Sequence, residues 1–347
     1  MEEPIMKKLN NILSLTAAAA LTLSLSACSG GTQGNAETPA GSSNTPSDTG
    51  DGYRVAVVRQ LDHASMNEIR DAITAELDAK AAELGISITY QDFNGNNDPS
   101  TLSQIGAQII ADDYDAIIPI GTTAAQQMVA AAQETEPPVI YGTVSYPEAA
   151  GLTGISYVTG TSDALDTEFL LDMMLAQNPD VETVGLLYST SEVNSGPAIE
   201  AAKAYLDGKG ISYIDKTGNT TDEIVAAVNS MLDQVDAVFT PTDNVVMNAE
   251  LAIAPTLAEA GIPHYAGADS FVRNGAFATC GVNYTDLGTK TADLALEVLQ
   301  TGEVPEFVTV AGDIITVNTE TAAALGVDYA VFNDMGSSLV EVQTTQE

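Results

Sequence analysis

An alternation of strands and helices beginning near Tyr53 constrains this chain more than any other feature of its sequence. A β-rich run at 53–59 is followed by a helical pattern at 65–84, a stop at Gly85 and a second run at 86–91. Asn94-Gly95-Asn96-Asn97-Asp98-Pro99 reads as a loop that opens a helix to about Ala111. Residues 116–120 are an apolar strand, Gly121-Thr122-Thr123 starts an Ala/Gln-rich helix, and Pro137-Pro138 breaks it before a strand at 139–144. An interruption follows at 151–163. The alternation then resumes with strands at 183–188, 211–215 and 237–240, helices from Ser195, from Thr220 and at 245–260, and an extended 264–268 after Gly261 and Pro263. Apolar strands separated by helices imply parallel sheets covered on both faces. The pattern runs twice, which predicts an α/β protein of two doubly wound parallel-sheet lobes joined by a hinge. Residues 279–283 lead into a long helix at 284–300, and a few short strands complete the lobes by crossing the hinge again. The expected bounds are 53–160 with 284–304 for the first lobe, and 161–283 with 305–347 for the second.

The N-terminus speaks to the compartment. Lys7-Lys8, the apolar run 12–25 and Ser26-Ala27-Cys28 form a positive, an apolar and a small-residue region, the layout of an export signal starting at Met1 or Met6. The apolar run is too short to span a bilayer. Residues 1–27 are expected to be a signal peptide. Residues 28–52, rich in Gly, Ser, Thr, Asn and Pro, are expected to be a flexible tether. Cys28 and Cys280 are the two cysteines of the chain. Separated by that tether, they are not expected to pair, and Cys280 should be a buried thiol in an apolar strand.

Charge excludes several functions. Acidic residues number 48 against 11 basic, a net charge of −37, so nucleic acid and basic-patch binding to anionic lipid are excluded as partners. Two histidines, His63 and His264, do not supply a multi-histidine metal site, and neither metal nor cofactor is expected. There is no Gly-x-x-x-x-Gly-Lys phosphate loop, no Gly-x-Ser-x-Gly elbow and no metalloprotease histidine spacing. Paired carboxylates for glycoside hydrolysis stay open in so acidic a chain. No catalytic residue is assigned, and the expectation is a binding protein.

In open parallel sheets ligands bind beyond the carboxyl ends of the strands. The polar residues there are therefore the candidates. Gln60 and His63 follow the first strand. Thr122 and Thr123 open a helix whose N–H groups suit an anion such as a carboxylate. Asn194 and Ser195 follow the sixth strand and either cap a helix or touch ligand. Asp243 and Asn244 follow the eighth; Asp243 suits an ammonium or serves as a helix cap. Asp269 with Phe271, then Tyr284, follow the next strands. An anion site in one lobe and carboxylates in the other are complementary to a zwitterion.

Several stretches then resemble one family: Gly121-Thr122-Thr123-Ala124-Ala125-Gln126, residues 138–152, Glu192-x-Asn194-Ser195, Pro241-Thr242-Asp243-Asn244 and residues 275–288. The chain is similar to the substrate-binding lipoproteins of ABC importers, of the tryptophan/tyrosine type. Leu25-Ser26-Ala27-Cys28 resembles their lipobox. The resemblance implies a periplasmic-binding-protein-like fold of type I with Cys28 lipidated. It implies a lipid-anchored extracytoplasmic protein delivering a small ligand to an ABC permease and its ATPase, with a monomer expected. The chain departs from the family at His63-Ala64-Ser65-Met66-Asn67 and at Ser145-Tyr146-Pro147, where Tyr146 would shape the side-chain pocket. The expected ligand is a zwitterion such as an aromatic amino acid. A sugar or nucleoside on the same fold, or a ligand sensor, is the alternative.

Overall fold

A computed structural model describes residues 52–345. The expectations for the signal peptide, for Cys28 and for the tether up to residue 51 lie outside the described residues.

The chain runs β1 (Gly52–Arg59), α1 (Ala64–Leu84), β2 (Ser87–Asn94), α2 (Pro99–Ala111), β3 (Ala116–Ile120), α3 (Thr122–Ala132), β4 (Val139–Tyr141) and β5 (Val158–Ser162). It continues through α4 (Thr167–Gln177), β6 (Thr183–Tyr188), α5 (Ser195–Lys209), β7 (Ser212–Thr217), α6 (Thr221–Asn229), β8 (Ala237–Thr240), α7 (Asn244–Glu259), β9 (His264–Ala266) and α8 (Asp269–Arg273). It ends with β10 (Ala278–Gly281), α9 (Tyr284–Thr301), β11 (Val308–Thr309), β12 (Ile314–Asn318), α10 (Thr319–Leu325), a short 3-10 helix (Ala330–Asp334) and β13 (Ser338–Val342).

The strands form two sheets. One is six-stranded in the order β11-β5-β4-β3-β1-β2, and the other is seven-stranded in the order β13-β12-β10-β9-β8-β6-β7. Every pair is parallel except β10 with β12. The inner strands β3, β4, β8 and β9 are buried at every residue, as helices on both faces require. The edge strand β2 is largely exposed and carries the polar residues. This is the expected architecture of two doubly wound lobes.

Local chemistry sets the helix ends. Asp98 accepts from the N–H groups of Ser100 and Thr101, with Pro99 at the first helical position of α2. Asn283 caps α9 by accepting from Asp286 N–H. α9 leaves β10 of the second lobe and packs on α1 of the first. At Gly288 a side chain would start 2.6 Å from Ala72 Cβ and 2.8 Å from Ile69 O, so only glycine admits this approach. Thr161 and Thr291 hydroxyls, 2.7 Å apart, tie β5 to the same helix.

The lobe bounds differ slightly from expectation. β5 stays in the first sheet through Ser162, and β11 joins it there, Val308 beside Thr161 and Thr309 beside Ser162. The chain therefore changes lobe after Ser162, after Gly281 and after Thr309 rather than near residue 304. Gly52, assigned to the tether, opens β1. α4 was not expected. Its Leu170, Leu171, Met173 and Met174 are all fully buried, so the helix shows little polar face for periodicity to reveal.

Candidate functional site

Each lobe has one point where strand order reverses. β1 lies between β2 and β3, and β6 lies between β7 and β8. Connections leave such a point toward opposite faces and open a crevice at the strand ends. Gln60 and Thr122 flank it in the first lobe. The loop 189–194 and residues 241–243 flank it in the second. Direct bonds show that the two crevices face each other. Gln60 Nε2 donates to Glu192 Oε1 at 3.2 Å, and His63 Nε2 lies 3.0 Å from Asn244 Oδ1.

Between the lobes lies a cavity of about 20 Å³, room for about one water. The first lobe lines it with His63, Ser65, Met66, Ile69, Gly121, Thr122, Thr143 and Ser145. The second contributes Asn194, Thr242, Asp243, Asn244, Met247, Ala268, Ser270 and Phe271, and Tyr284 completes the wall where the chain crosses. Among the expected residues, His63, Thr122, Asn194, Asp243, Asn244, Phe271 and Tyr284 thus reach the cavity.

The other candidates do not. Gln60 is fully buried, and its Oε1 accepts the Thr123 N–H at 3.0 Å while its Nε2 also donates to Asn97. The helix-start amide expected to hold an anion is therefore engaged, and Thr123 itself lies behind the wall. Ser195 is spent on Asp243, donating its Oγ to Oδ2 at 2.6 Å. Tyr146 is half-buried beside Thr167, outside the cavity, where burial raises its phenol. Asp269 pairs with Arg273 of its own helix at 2.9 Å and lines a separate cavity of about 180 Å³ beside β10 and β12.

Asp243 needs a second correction. It lines the cleft, but its oxygens already serve four protein donors. Oδ1 accepts from Val245 and Val246 N–H, both at 3.0 Å, and Oδ2 accepts from Ser189 N–H at 2.7 Å and from Ser195. It caps α7 and ties that helix to the β6–α5 loop. It does not offer a free charge for an ammonium.

Two groups given no role from the sequence, Glu192 and Asp163, also stand at the lobe crossing and the cleft. Glu192 is buried and accepts from Gln60 and, at 3.0 Å, from Asn244 Nδ2. Burial first, then the charge of Asp243, push its carboxyl up to about 7. The signal was an acidic residue in a polar loop at a strand end. Asp163 is buried at the lobe crossing, accepting from Ser145 Oγ at 2.9 Å and Tyr284 OH at 3.3 Å, and burial raises its pKa. His63 is neutral. Its Nδ1 accepts from Met66 N–H at 3.4 Å, and burial lowers its pKa.

The most informative atoms are those without partners. Ser65 Oγ and Thr143 Oγ1 from the first lobe, and Asn194 Oδ1 and Ser270 Oγ from the second, are buried, unbonded and on residues that line the cavity. Buried polar atoms are nearly always paired, so this convergence marks a polar binding site. Asn194 Nδ2 donates to the Thr242 carbonyl, which leaves its Oδ1 as a pure acceptor. Thr143 has φ 61°, a left-handed conformation that a β-branched residue rarely adopts. Such strain collects at ligand sites. Gly121, with φ 98° and its α-carbon backed by Gln60 and Met66, lets α3 begin at the wall. Met66, Ile69, Met247 and Phe271 supply an apolar side. Among the described residues, no group of three or more His, Cys, Asp or Glu is placed to hold a metal ion.

Comparison with known proteins agrees with this geometry. The Tyrosine-binding protein of Clostridioides difficile (strain R20291) is 29% identical over 329 residues, spanning 92% of this chain and 93% of that one. An ABC domain in complex with L-Trp from Streptococcus pneumonia matches with a TM-score of 0.76 at 25% identity, covering 84% of this chain and 100% of that one. A ligand-free, open substrate binding protein with adhesive properties from Clostridium difficile matches with a TM-score of 0.65 at 28% identity, with coverage of 84% and 100%. The fold is that of type I periplasmic binding proteins. These relatives bind substrates and are not enzymes. The model of ABC transporter substrate binding proteins matches residues 54–331, and with two parallel-sheet lobes enclosing a polar cavity the chain belongs to that family.

Proposed function

We propose that this protein is the lipid-anchored, extracytoplasmic binding component of an ABC importer, and that its cleft takes a free amino acid with an apolar or aromatic side chain. The observation that carries the ligand reading is the split of unpaired atoms between the lobes. Asn194 Oδ1 in the second lobe can only accept, which suits an ammonium. In the first lobe the hydroxyls of Ser65 and Thr143 stand with Thr122 near the starts of α1 and α3, whose dipoles favour a carboxylate. Met66, Met247, Phe271 and Tyr284 offer apolar and aromatic area for the side chain. The tyrosine- and tryptophan-binding relatives support the aromatic choice. The cavity is far smaller than an amino acid, so loading requires the lobes to part about their crossings. The higher TM-score with the L-Trp complex than with the open structure, despite lower identity, is consistent with a cleft drawn together here.

Titration calorimetry tests the ligand. L-tyrosine and L-tryptophan should bind, while N-acetyl-L-tyrosine and L-tyrosinamide should each lose at least about tenfold, because each removes one charge of the zwitterion. Equal binding of all four, or binding of a sugar or nucleoside instead, would sink this reading. The anchor is tested separately. Cys28→Ala should release the protein from the membrane fraction, and retention there would overturn lipidation. Membership of this family supports delivery to a permease and its ATPase.

A further inference from the structure

We propose that Glu192 is a latch that holds the two lobes together, through a hydrogen-bond relay that begins and ends on helix starts of the first lobe. One arm runs from Thr123 N–H to Gln60 Oε1, and from Gln60 Nε2 to Glu192 Oε1. The other runs from Met66 N–H to His63 Nδ1, from His63 Nε2 to Asn244 Oδ1, and from Asn244 Nδ2 to Glu192 Oε2. Glu192 and Asn244 belong to the second lobe, so each arm crosses the cleft once.

The direction of every bond is fixed by its ends. A backbone N–H can only donate. Thr123 N–H therefore sets the oxygen of the Gln60 amide toward α3 and turns its NH2 toward Glu192. Met66 N–H makes Nδ1 of His63 the acceptor and Nε2 the donor. That sets the Asn244 oxygen toward His63 and its NH2 toward Glu192. Both arms thus arrive at Glu192 as donors. Only a group with an acceptor on each of two oxygens satisfies both, and an ionised carboxylate is that group. The free hydroxyls of the cavity take no part, so the relay biases the open–closed balance whatever the ligand is. Any ligand that needs the lobes together gains affinity from it.

The test uses small-angle scattering of the full chain without added ligand at about pH 8, which keeps it independent of the amino-acid reading. Glu192→Gln replaces one oxygen with an NH2 that faces an arriving NH2 and breaks one arm. The open–closed ratio should move about tenfold or more toward open, the range for a hydrogen bond to a charged group, and the radius of gyration should rise. The exchange Q60E/E192Q restores the match at the same net charge. The carboxylate now at position 60 accepts from Thr123 N–H and from the amide at 192, whose oxygen still accepts from Asn244; Asn97, whose side-chain amide is bonded only to position 60, turns over to donate its NH2 there. The double variant should return to the wild-type radius. An unchanged radius in Glu192→Gln, or a double variant as expanded as the single one, overturns the latch. Circular dichroism reports folding. If Glu192→Gln is unfolded, Asn244→Ala cuts the second arm and is read the same way.

Discussion

Three acidic or amide side chains near the cleft look alike in sequence and should behave differently when removed. Asp243→Ala strands four buried donors at once, on Ser189, Ser195, Val245 and Val246. It should lower folding stability by about 3–5 kcal/mol in denaturant melts, the scale for breaking a buried charged network. Asn194→Ala removes an unpaired acceptor and one bond to a carbonyl. Its melt should shift by only about 1 kcal/mol, while binding of L-tyrosine should weaken about tenfold or more. Asp269→Ala breaks a partly exposed i,i+4 pair with Arg273 and should change stability by less than about 1 kcal/mol, with binding untouched. A binding loss confined to Asp269→Ala would return the ammonium to that carboxylate and undo the assignment to Asn194.

At the scale of elements, the sequence carried the strands whose buried residues are nearly all apolar, and it missed β5, buried throughout but written Val-Thr-Gly-Thr-Ser within the expected interruption at 151–163. Residues 116–120 and 237–240 could hardly be anything else. It carried the position of the site for the same reason, since strand ends in parallel sheets fall at predictable places. It did not carry which polar side chain points into the cleft. Asp243, Ser195 and Gln60 sit at the right strand ends but turn inward to close helix starts, and capping and ligand contact use the same residue types. Ser65, Thr143 and Ser270 are ordinary hydroxyl residues until the fold buries them without partners. The left-handed backbone of Thr143 has no sequence signature at all, because threonine is not a residue that announces positive φ. Glu192 was hidden by the serines around it. Its role depends on Gln60 and Asn244, which lie far from it in the chain and on different lobes.

At the scale of the whole molecule, folding stability should depend on pH in a defined direction. Glu192 is raised to about 7 by burial and by Asp243 from the start of α7; the donors from Asn244 and Gln60 only moderate that rise, and burial of His63 on the first lobe disfavours a compensating positive charge there. A carboxyl raised in the folded state binds its proton more tightly there than in the unfolded chain. Its contribution to stability is therefore fully present below the ordinary carboxylate range and is lost as pH rises through about 7. Below that point the proton relieves a charge buried beside Asp243 and withdraws one oxygen from the relay; the raised pKa means that the relief is the larger effect. Asp163 and Asp243 are raised by burial and act in the same direction, and so does the fall in overall negative charge as acid is added to a chain of net charge −37. Those effects are common to the wild type and Glu192→Gln, so the difference between the two proteins isolates the titration of Glu192. Melting both from about pH 5 to about pH 8, wild-type stability relative to Glu192→Gln should decline steadily from the acid end of that range and level off above about 7. A gap that stays constant, or that widens in favour of the wild type as pH rises, would mean that Glu192 titrates as an ordinary or stabilised carboxylate and that Asp243 does not press on it.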